Sequence, residues 1–393
     1  MRRRTLAALI VASTLIGLAL GPVGRATADP ASFPTVLAGA GSDTTQDVLD
    51  AIATNIGPVG GTQEVGAWDA FKPGTNVVTR DDITPKAAVK CTNVTRPYNL
   101  YSTDALRRSL SGTAAVGGLT STAGGMSPHP VPLGSGCFDF AQSSIFPGVK
   151  ANSVGLLQYV PFGKDALTMA VGPGTGTNMT AIVDSFTLTQ LWTLYSSGQP
   201  VTVNGRTYDP KGETGIPIRL LVPSLNSGDR TFFASVVGIN PFTIPAWVHD
   251  TYVPAGGGPP QPVWDNNGTA VELDHHAIMP FSVAQWISQA NGHNDRRHGA
   301  VLQTIDGVAP ISSGKINTSF SRDLMHEVYN VIPFSATTAT TSDLFKVFVA
   351  TSGPFRLCGQ TATITNYGFA PLTAHTCGQI DPALRAFGND GTF

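Results

Sequence analysis

Between Ser224 and Arg230 the chain reads Ser-Leu-Asn-Ser-Gly-Asp-Arg, which gathers hydroxyls, a glycine and a guanidinium in one short loop. A glycine lets such a loop turn tightly. If a helix starts here, its first amides have no partners inside the helix and carry partial positive charge. Together with Ser227, Gly228 and Arg230 they can hold an anion. The same loop also reads as an ordinary helix cap made by Ser227 or Asp229, and the residues leave both readings open. A second stretch repeats the grammar: Gly39-Ala40-Gly41-Ser42-Asp43-Thr44-Thr45-Gln46 places hydroxyls ahead of another helix start. A third hydroxyl pair, Ser143 and Ser144, follows Cys137-Phe138-Asp139-Phe140-Ala141-Gln142. Neutral donors with one cation suit the desolvation of an oxyanion through hydrogen bonds.

Other chemistries find less support. A serine hydrolase would want a G-x-S-x-G elbow, and none occurs. His275, His276, His293 and His298 match no H-E-x-x-H spacing. The cluster Gly172-Pro173-Gly174-Thr175-Gly176 lacks the spacing and the following helix of a dinucleotide loop. No hydroxyl stands beside an evident base, so no catalytic residue, metal ligand or cofactor is expected. The pattern is that of a binding site.

Short apolar runs alternate with amphipathic ones, the signature of an α/β protein. Strands are expected at Phe33–Ala38, Cys137–Gln142, Gly155–Phe162, Ala166–Val171, Ile216–Val222, Val301–Val308 and Leu324–Ile332. Helices are expected at Asp47–Ala53, Thr103–Leu110, Thr187–Tyr195, Thr231–Val237, Phe281–Ala290 and Asp343–Ala350. Pro254 to Pro262, rich in proline and glycine, reads as a surface excursion.

With 393 residues, 43 of them glycine and 29 proline, the chain has room for two lobes of ordinary size. Its first 28 residues have the form of a secretory signal: Arg2, Arg3 and Arg4, an apolar run from Leu6 to Leu20, and Ala26-Thr27-Ala28 as a small-x-small cleavage pattern. Cleavage near Ala28 would remove four arginines and no acid, leaving 20 basic against 26 acidic residues, about minus 6. Such a charge argues against a nucleic-acid partner. No cysteine follows the apolar run, so a lipid anchor is not expected and release as a secreted, extracellular monomer is. Cys91, Cys137, Cys358 and Cys377 make an even set in an exported chain, which favours disulfides. Proximity suggests Cys91–Cys137 and Cys358–Cys377, one of three connectivities. A four-thiolate zinc site would want C-x2-C spacing, which is absent.

At these residues the chain resembles the phosphate-binding components of bacterial ABC importers, within the type 2 periplasmic binding protein superfamily. The likeness lies in the order of motifs: Ala38 to Thr45, Asp139 to Ser144, Leu157 to Val171, Leu188 to Gly198, Asn226 to Phe233, Ala277 to Trp286, Ile305 to Pro310, Ser321 to Val331 and Gly368 to Leu372. It spans nearly the whole mature chain. The resemblance implies ligand contacts from Ser42, Thr44 or Thr45, Ser143, Ser227, Gly228 and Arg230. It implies a two-lobe fold, each lobe a mixed sheet flanked by helices, with crossing strands as a hinge. The lobes would be residues 29–156 with 317–393 returning, and 157–316. Three positions depart from the pattern: Ser144 stands where phosphate binders carry aspartate, Asp229 where they carry threonine, and Pro223 or Ser224 where an arginine often precedes the loop. Asp43 or Asp229 can supply the lost acceptor, or repel a dianion. The expected function is capture of an oxyanion, phosphate first, between two lobes for an ABC permease. The competing expectation is an extracellular interaction protein that keeps the fold and has lost the anion.

Overall fold

The computed structural model describes residues 29–30, 37–57, 65–72, 81–110, 129–148, 151–174 and 179–387. The signal-like segment 1–28, the start of the first expected strand at Phe33–Val36, and Thr175 and Gly176 of the glycine cluster lie outside the described residues.

The chain builds one curled ten-stranded sheet with helices on its faces, a mixed α/β architecture. In chain order the pieces that place the site are β1 (Leu37–Ala40), α1 (Gln46–Ile56), β2 (Val65–Trp68), α2 (Leu100–Leu110), β3 (Phe140–Ser143), β4 (Leu157–Val171), β5 (Arg219–Leu221), α3 (Gly228–Val237), β6 (Val248–His249), β7 (Ala277–Ser282), α4 (Val283–Ala290), β8 (Val301–Leu302), β9 (Met325–Pro333) and β10 (Arg385–Ala386). The strand order is β6-β5-β7-β4-β9-β3-β1-β2, with β8 and β10 also on β4. β1 lies parallel between β2 and β3, and β5 lies parallel between β6 and β7. β1, β2 and β7 run as apolar or small residues, as strands covered on both faces do.

The two trios are joined by antiparallel β4 and β9. β4 pairs with β9 from Leu157 to Ala166, then passes to β7 from Leu167 to Val171. This one strand of 15 residues replaces the two expected at Gly155–Phe162 and Ala166–Val171. Pro161 does not break it, because it meets Tyr329 where the β9 register slips, a position that tolerates a residue without an amide hydrogen. The charge of Asp165 does not break it either, for reasons given below.

Other boundaries moved for local reasons. The expected helix Phe281–Ala290 begins two residues later, because Phe281 and Ser282 pair with Thr168 and Leu167 as the end of β7. Ser282 then caps α4, accepting from the amide of Gln285 at 3.0 Å. The expected strand Val301–Val308 is short, since β8 covers only Val301–Leu302 before a turn closed between Ile305 and Val308. The expected helix Thr187–Tyr195 is Leu188–Trp192, opened by a Thr187 capping box and continued by a wider π turn to Ser197. Ile216–Val222 splits around Ile218 into two short strands.

Apolar side chains collect on either side of the crossing. One cluster joins Leu49 and Ile52 of α1 with Phe140, Val328, Ile332, Phe348 and Phe369. The other joins Leu167, Met169 and Val171 of β4 with Tyr195, Phe233, Ile278 and Ile287. Phe140 is fully buried, 4.9 Å from Phe348, and the burial of such a ring contributes about 1.5–3 kcal/mol.

The disulfides are Cys91–Cys137 and Cys358–Cys377, 46 and 19 residues apart. By loop closure alone they should contribute about 4 and about 3 kcal/mol. Replacing Cys91 and Cys137 together by serine is therefore expected to lower the urea midpoint more than replacing Cys358 and Cys377. Equal midpoints for the two double variants would refute this ordering.

Candidate functional site

The site lies where both trios end, at the starts of α1 and α3. The loop Ser42–Thr45 turns on itself: Ser42 O accepts from the amides of Thr45 and Gln46, and Ser42 Oγ from the amide of Thr44. Thr45 Oγ1 donates to Ser42 O and to Gln142 Oε1, each at 3.4 Å. Gly41 sits so near Gln142 that an added Cβ would fall 2.3 Å from its Oε1. On the other side, Ser227 caps α3 by accepting from the amide of Arg230 at 3.3 Å, and donates to Asp265 Oδ2 at 3.0 Å. An added Cβ on Gly228 would lie 2.3 Å from Ser144 Oγ, so no larger residue lets these loops approach this closely.

The two sides touch through side chains. Thr44 Oγ1 donates to Asp229 Oδ2 at 2.8 Å, Asn226 Nδ2 to Tyr101 Oη at 3.1 Å, and Asn266 Nδ2 to Asp43 O at 3.1 Å. Gln285 Nε2 donates to Thr44 O, and Arg296 bridges Gln285 Oε1 and the carboxylate of Asp47 on α1. Ser42, Asp43, Thr44, Thr45, Ser144, Ser227, Gly228 and Asp229 thus meet in one buried junction. Ser143 is buried beside it but its hydroxyl donates to Ile145 O at 2.8 Å. Arg230 is engaged on its own side: Nε donates to Pro241 O, and Nη1 to Pro223 O and to Asp250 Oδ2 at 2.7 Å.

Asp229 connects the junction to the crossing strands. Its Oδ1 lies 3.1 Å from His326 Nε2, while Oδ2 accepts from Thr44. His326 is paired in register with Asp165 of β4. Asp165 is wholly buried yet fully bonded, accepting from the amides of Ala166 and Ala284 and from Ser282 Oγ at 2.5 Å. That is how a carboxylate can sit inside β4: it caps α4. Ligand atoms of Asp165, Asp229 and His326 fall within 4.8 Å of one another, the spacing of a metal set. The oxygens of Asp165 already hold their donors, so the imidazole reads better as the counter-charge of two carboxylates than as one ligand of three.

Charge in the junction is unbalanced. Asp43, Asp165, Asp229 and Asp265 are all fully buried, with His326 and Arg296 as nearby cations. Burial, then Asp229, pushes Asp43 up to about 7, with Arg296 opposing. Burial, then Asp43 and Asp229, pushes Asp265 well above the carboxylate range. Burial lifts Asp165 to about 6 against the pull of His326. For His326 burial acts downward, but the hydrogen bond and charge of Asp229 outweigh it and raise the imidazole. Several buried polar atoms find no partner: both Asp43 oxygens, Asp265 Oδ1, Asn99 Nδ2, Gln142 Nε2, Ser144 Oγ, Ser224 Oγ and Arg296 Nε. Leaving each such group unpaired costs about 1–3 kcal/mol, so a gathering of them marks a place built for something polar. Nothing near Asp165, Asp265, Arg296 and His326 in the sequence distinguishes them from isolated charges.

Every resolved shift in the junction has the folded protein holding protons that the unfolded chain releases. Carboxyls here stay protonated above an unfolded value near 4, and the His326 imidazolium persists above about 6.5, so stability falls as pH rises from about 4 to 8. The melting temperature is expected to be higher at pH 5.5 than at pH 8. Asp43→Asn, which removes a charging penalty on the order of 2–4 kcal/mol, should flatten that slope. A wild-type melting temperature that climbs toward pH 8 would contradict this reading.

No protein-family model and no curated protein matches the chain. Among solved structures it is similar to an ABC-type phosphate transport receptor from Vibrio cholerae, with 16% identity, 60% of this chain and 81% of that one covered, and a TM-score of 0.38. It is also similar to a phosphate-binding protein from Stenotrophomonas maltophilia, with 13% identity, 86% and 91% covered, and a TM-score of 0.38. PstS from Borrelia burgdorferi gives 12% identity, 86% and 98% covered, and a TM-score of 0.36. Likenesses this distant assign no ligand and no residue, and the junction's own chemistry has to do so.

Proposed function

We propose that this chain is an exported solute-binding protein that takes a small oxyanion of the phosphate class between two lobes and delivers it to an ABC permease. The lobes proposed are residues 29–156 with 317–393, and 157–316. The observation that supports this reading is the set of unpartnered buried donors, Asn99 Nδ2, Gln142 Nε2 and Ser144 Oγ, gathered with the starts of α1 and α3. Helix starts and amide donors are suited to oxygens of a tetrahedral anion. Burial raises the carboxyls of Asp43 and Asp265, so each repels an anion less than an exposed aspartate and becomes a further donor when protonated. Arg230 then acts indirectly, fixing the α3 loop through Asp250 and Pro223 rather than touching the ligand.

A second reading follows from the same four carboxyls. If they ionise on binding, their charge exceeds that of His326 and Arg296, and the junction favours a small cation.

Substitution at one residue separates the two. Asp43→Asn copies the neutral form, so calorimetry with phosphate and sulfate at pH 7.5 should show affinity retained or raised up to about tenfold, worth about 1.4 kcal/mol. A cation site would instead lose at least about tenfold for Ca2+, Mg2+ or a small amine on the same change. Heat from none of these ligands, with either protein, would remove both readings and favour a fold kept for contacts with other proteins.

A further inference from the structure

A second group of acids is packed around Asp29, next to Asp47 of α1. The Asp29 carboxylate is gripped by both Nη atoms of Arg96 at 2.7 Å, and Oδ1 also accepts from the amide of Asp69 at 3.2 Å. Arg96 is almost wholly buried and holds Asp81 with its other edge. Beside them lie Asp50 of α1 and Asp69, which are buried and hydrogen-bonded to each other. Asp47 is matched by Arg296 at 2.8 Å, and Arg96 serves Asp29 and Asp81. Asp50 and Asp69 have no cation of their own among these pairs, and Asp69 Oδ1 is buried without a partner. Burial and the neighbouring carboxylates raise both acids, with Asp29 adding to the repulsion in each case.

Asp29 is the residue that would follow cleavage after Ala26-Thr27-Ala28. In the uncut chain it carries a φ of +68°, a region that side chains other than glycine seldom occupy. Cutting the peptide bond before it abolishes that constraint, since a terminal residue has no φ. It also creates an α-ammonium within about 4 Å of the residue's own carboxylate, by the fixed lengths of the backbone.

We propose that the pocket formed by Arg96, Asp69 and Asp50 is a seat for the processed N-terminus, in which Arg96 takes the side chain of Asp29 and the Asp50–Asp69 pair takes its new α-ammonium. Hydrolysis of the Ala28–Asp29 peptide bond by an export peptidase supplies the amine, water giving its hydroxyl to Ala28 and a proton to the leaving nitrogen. The seat is selective because only a zwitterionic terminus with an acidic first side chain satisfies both halves. It tightens the packing of α1, the helix whose start carries the Ser42–Thr45 loop, through the buried Asp50.

The test compares the mature protein beginning at Asp29 with the same chain carrying one glycine ahead of it. The free terminus should melt several degrees higher at pH 7, and its α-amine should react with an acylating reagent at least about tenfold more slowly than in the urea-unfolded protein. Asp50→Asn with Asp69→Asn should abolish both differences. Should that double variant fail to fold, the comparison of free and extended termini still decides. Equal melting with unprotected acylation would overturn the proposal, as would mass spectrometry of the exported protein showing a first residue other than Asp29.

Discussion

The molecule depends on a carboxylate placed where little water can reach it. Asp229, at the first turn of α3, lies between Thr44 of one side and His326 of the crossing strands. Removing an ion from water costs several kcal/mol unless charge and hydrogen bonds replace the solvent. His326 supplies the charge and Thr44 the hydrogen bond, and they come from different parts of the fold. Asp229 is therefore satisfied only when both sides and the crossing are together. Its neighbours follow the same rule: Asp165 is tolerable because α4 starts over it, and Asp265 because Ser227 reaches it.

The balance of charge also bears on the ligand proposed for the junction. A site of fixed cations would attract an anion at any pH. Here the cations already answer to carboxylates, and burial shifts the remaining acids toward their neutral forms. Neutral acids, amides and hydroxyls discriminate by shape and proton position more than by charge. Selectivity of that kind follows from the pairing of donors with acceptors, because an unmatched buried group is costly in either partner.

Much of the framework was legible in the chain because it rests on local signals. The apolar runs at β1, β3, β5 and β9 and the Ser227-Gly228 helix start are each written within a few residues, and each cysteine pairs with its nearest cysteine along the chain. The Ser42–Thr45 and Ser227–Asp229 loops could be paired by their shared grammar, and they do meet. What escaped was whatever depends on a distant partner. Asp165 looked like a break between two strands because its caps, Ser282 and Ala284, lie more than a hundred residues away. His326 looked like one more polar residue in a strand, and its meaning comes from Asp229. Arg230 is held by Asp250 and Pro241, partners that nothing near it in the sequence announces. Asp229, where phosphate binders carry threonine, makes its bonds to Thr44 and His326, partners that lie far from it in the chain.

The crossing of β4 and β9 has a kinetic side. The partners of Leu157 to Ala166 on β4 are Met325 to Pro333, so the central ladder closes a loop of more than 150 residues. The apolar cluster around α1 likewise includes Val328, Ile332, Phe348 and Phe369. A chain emerging from the ribosome N-terminus first cannot complete the sheet around β3 and β4 until its last quarter has arrived. Contacts that far apart in sequence form slowly, because the closure entropy is lost before the contacts return it. The order of its elements thus keeps the central ladder unpaired until synthesis is almost finished.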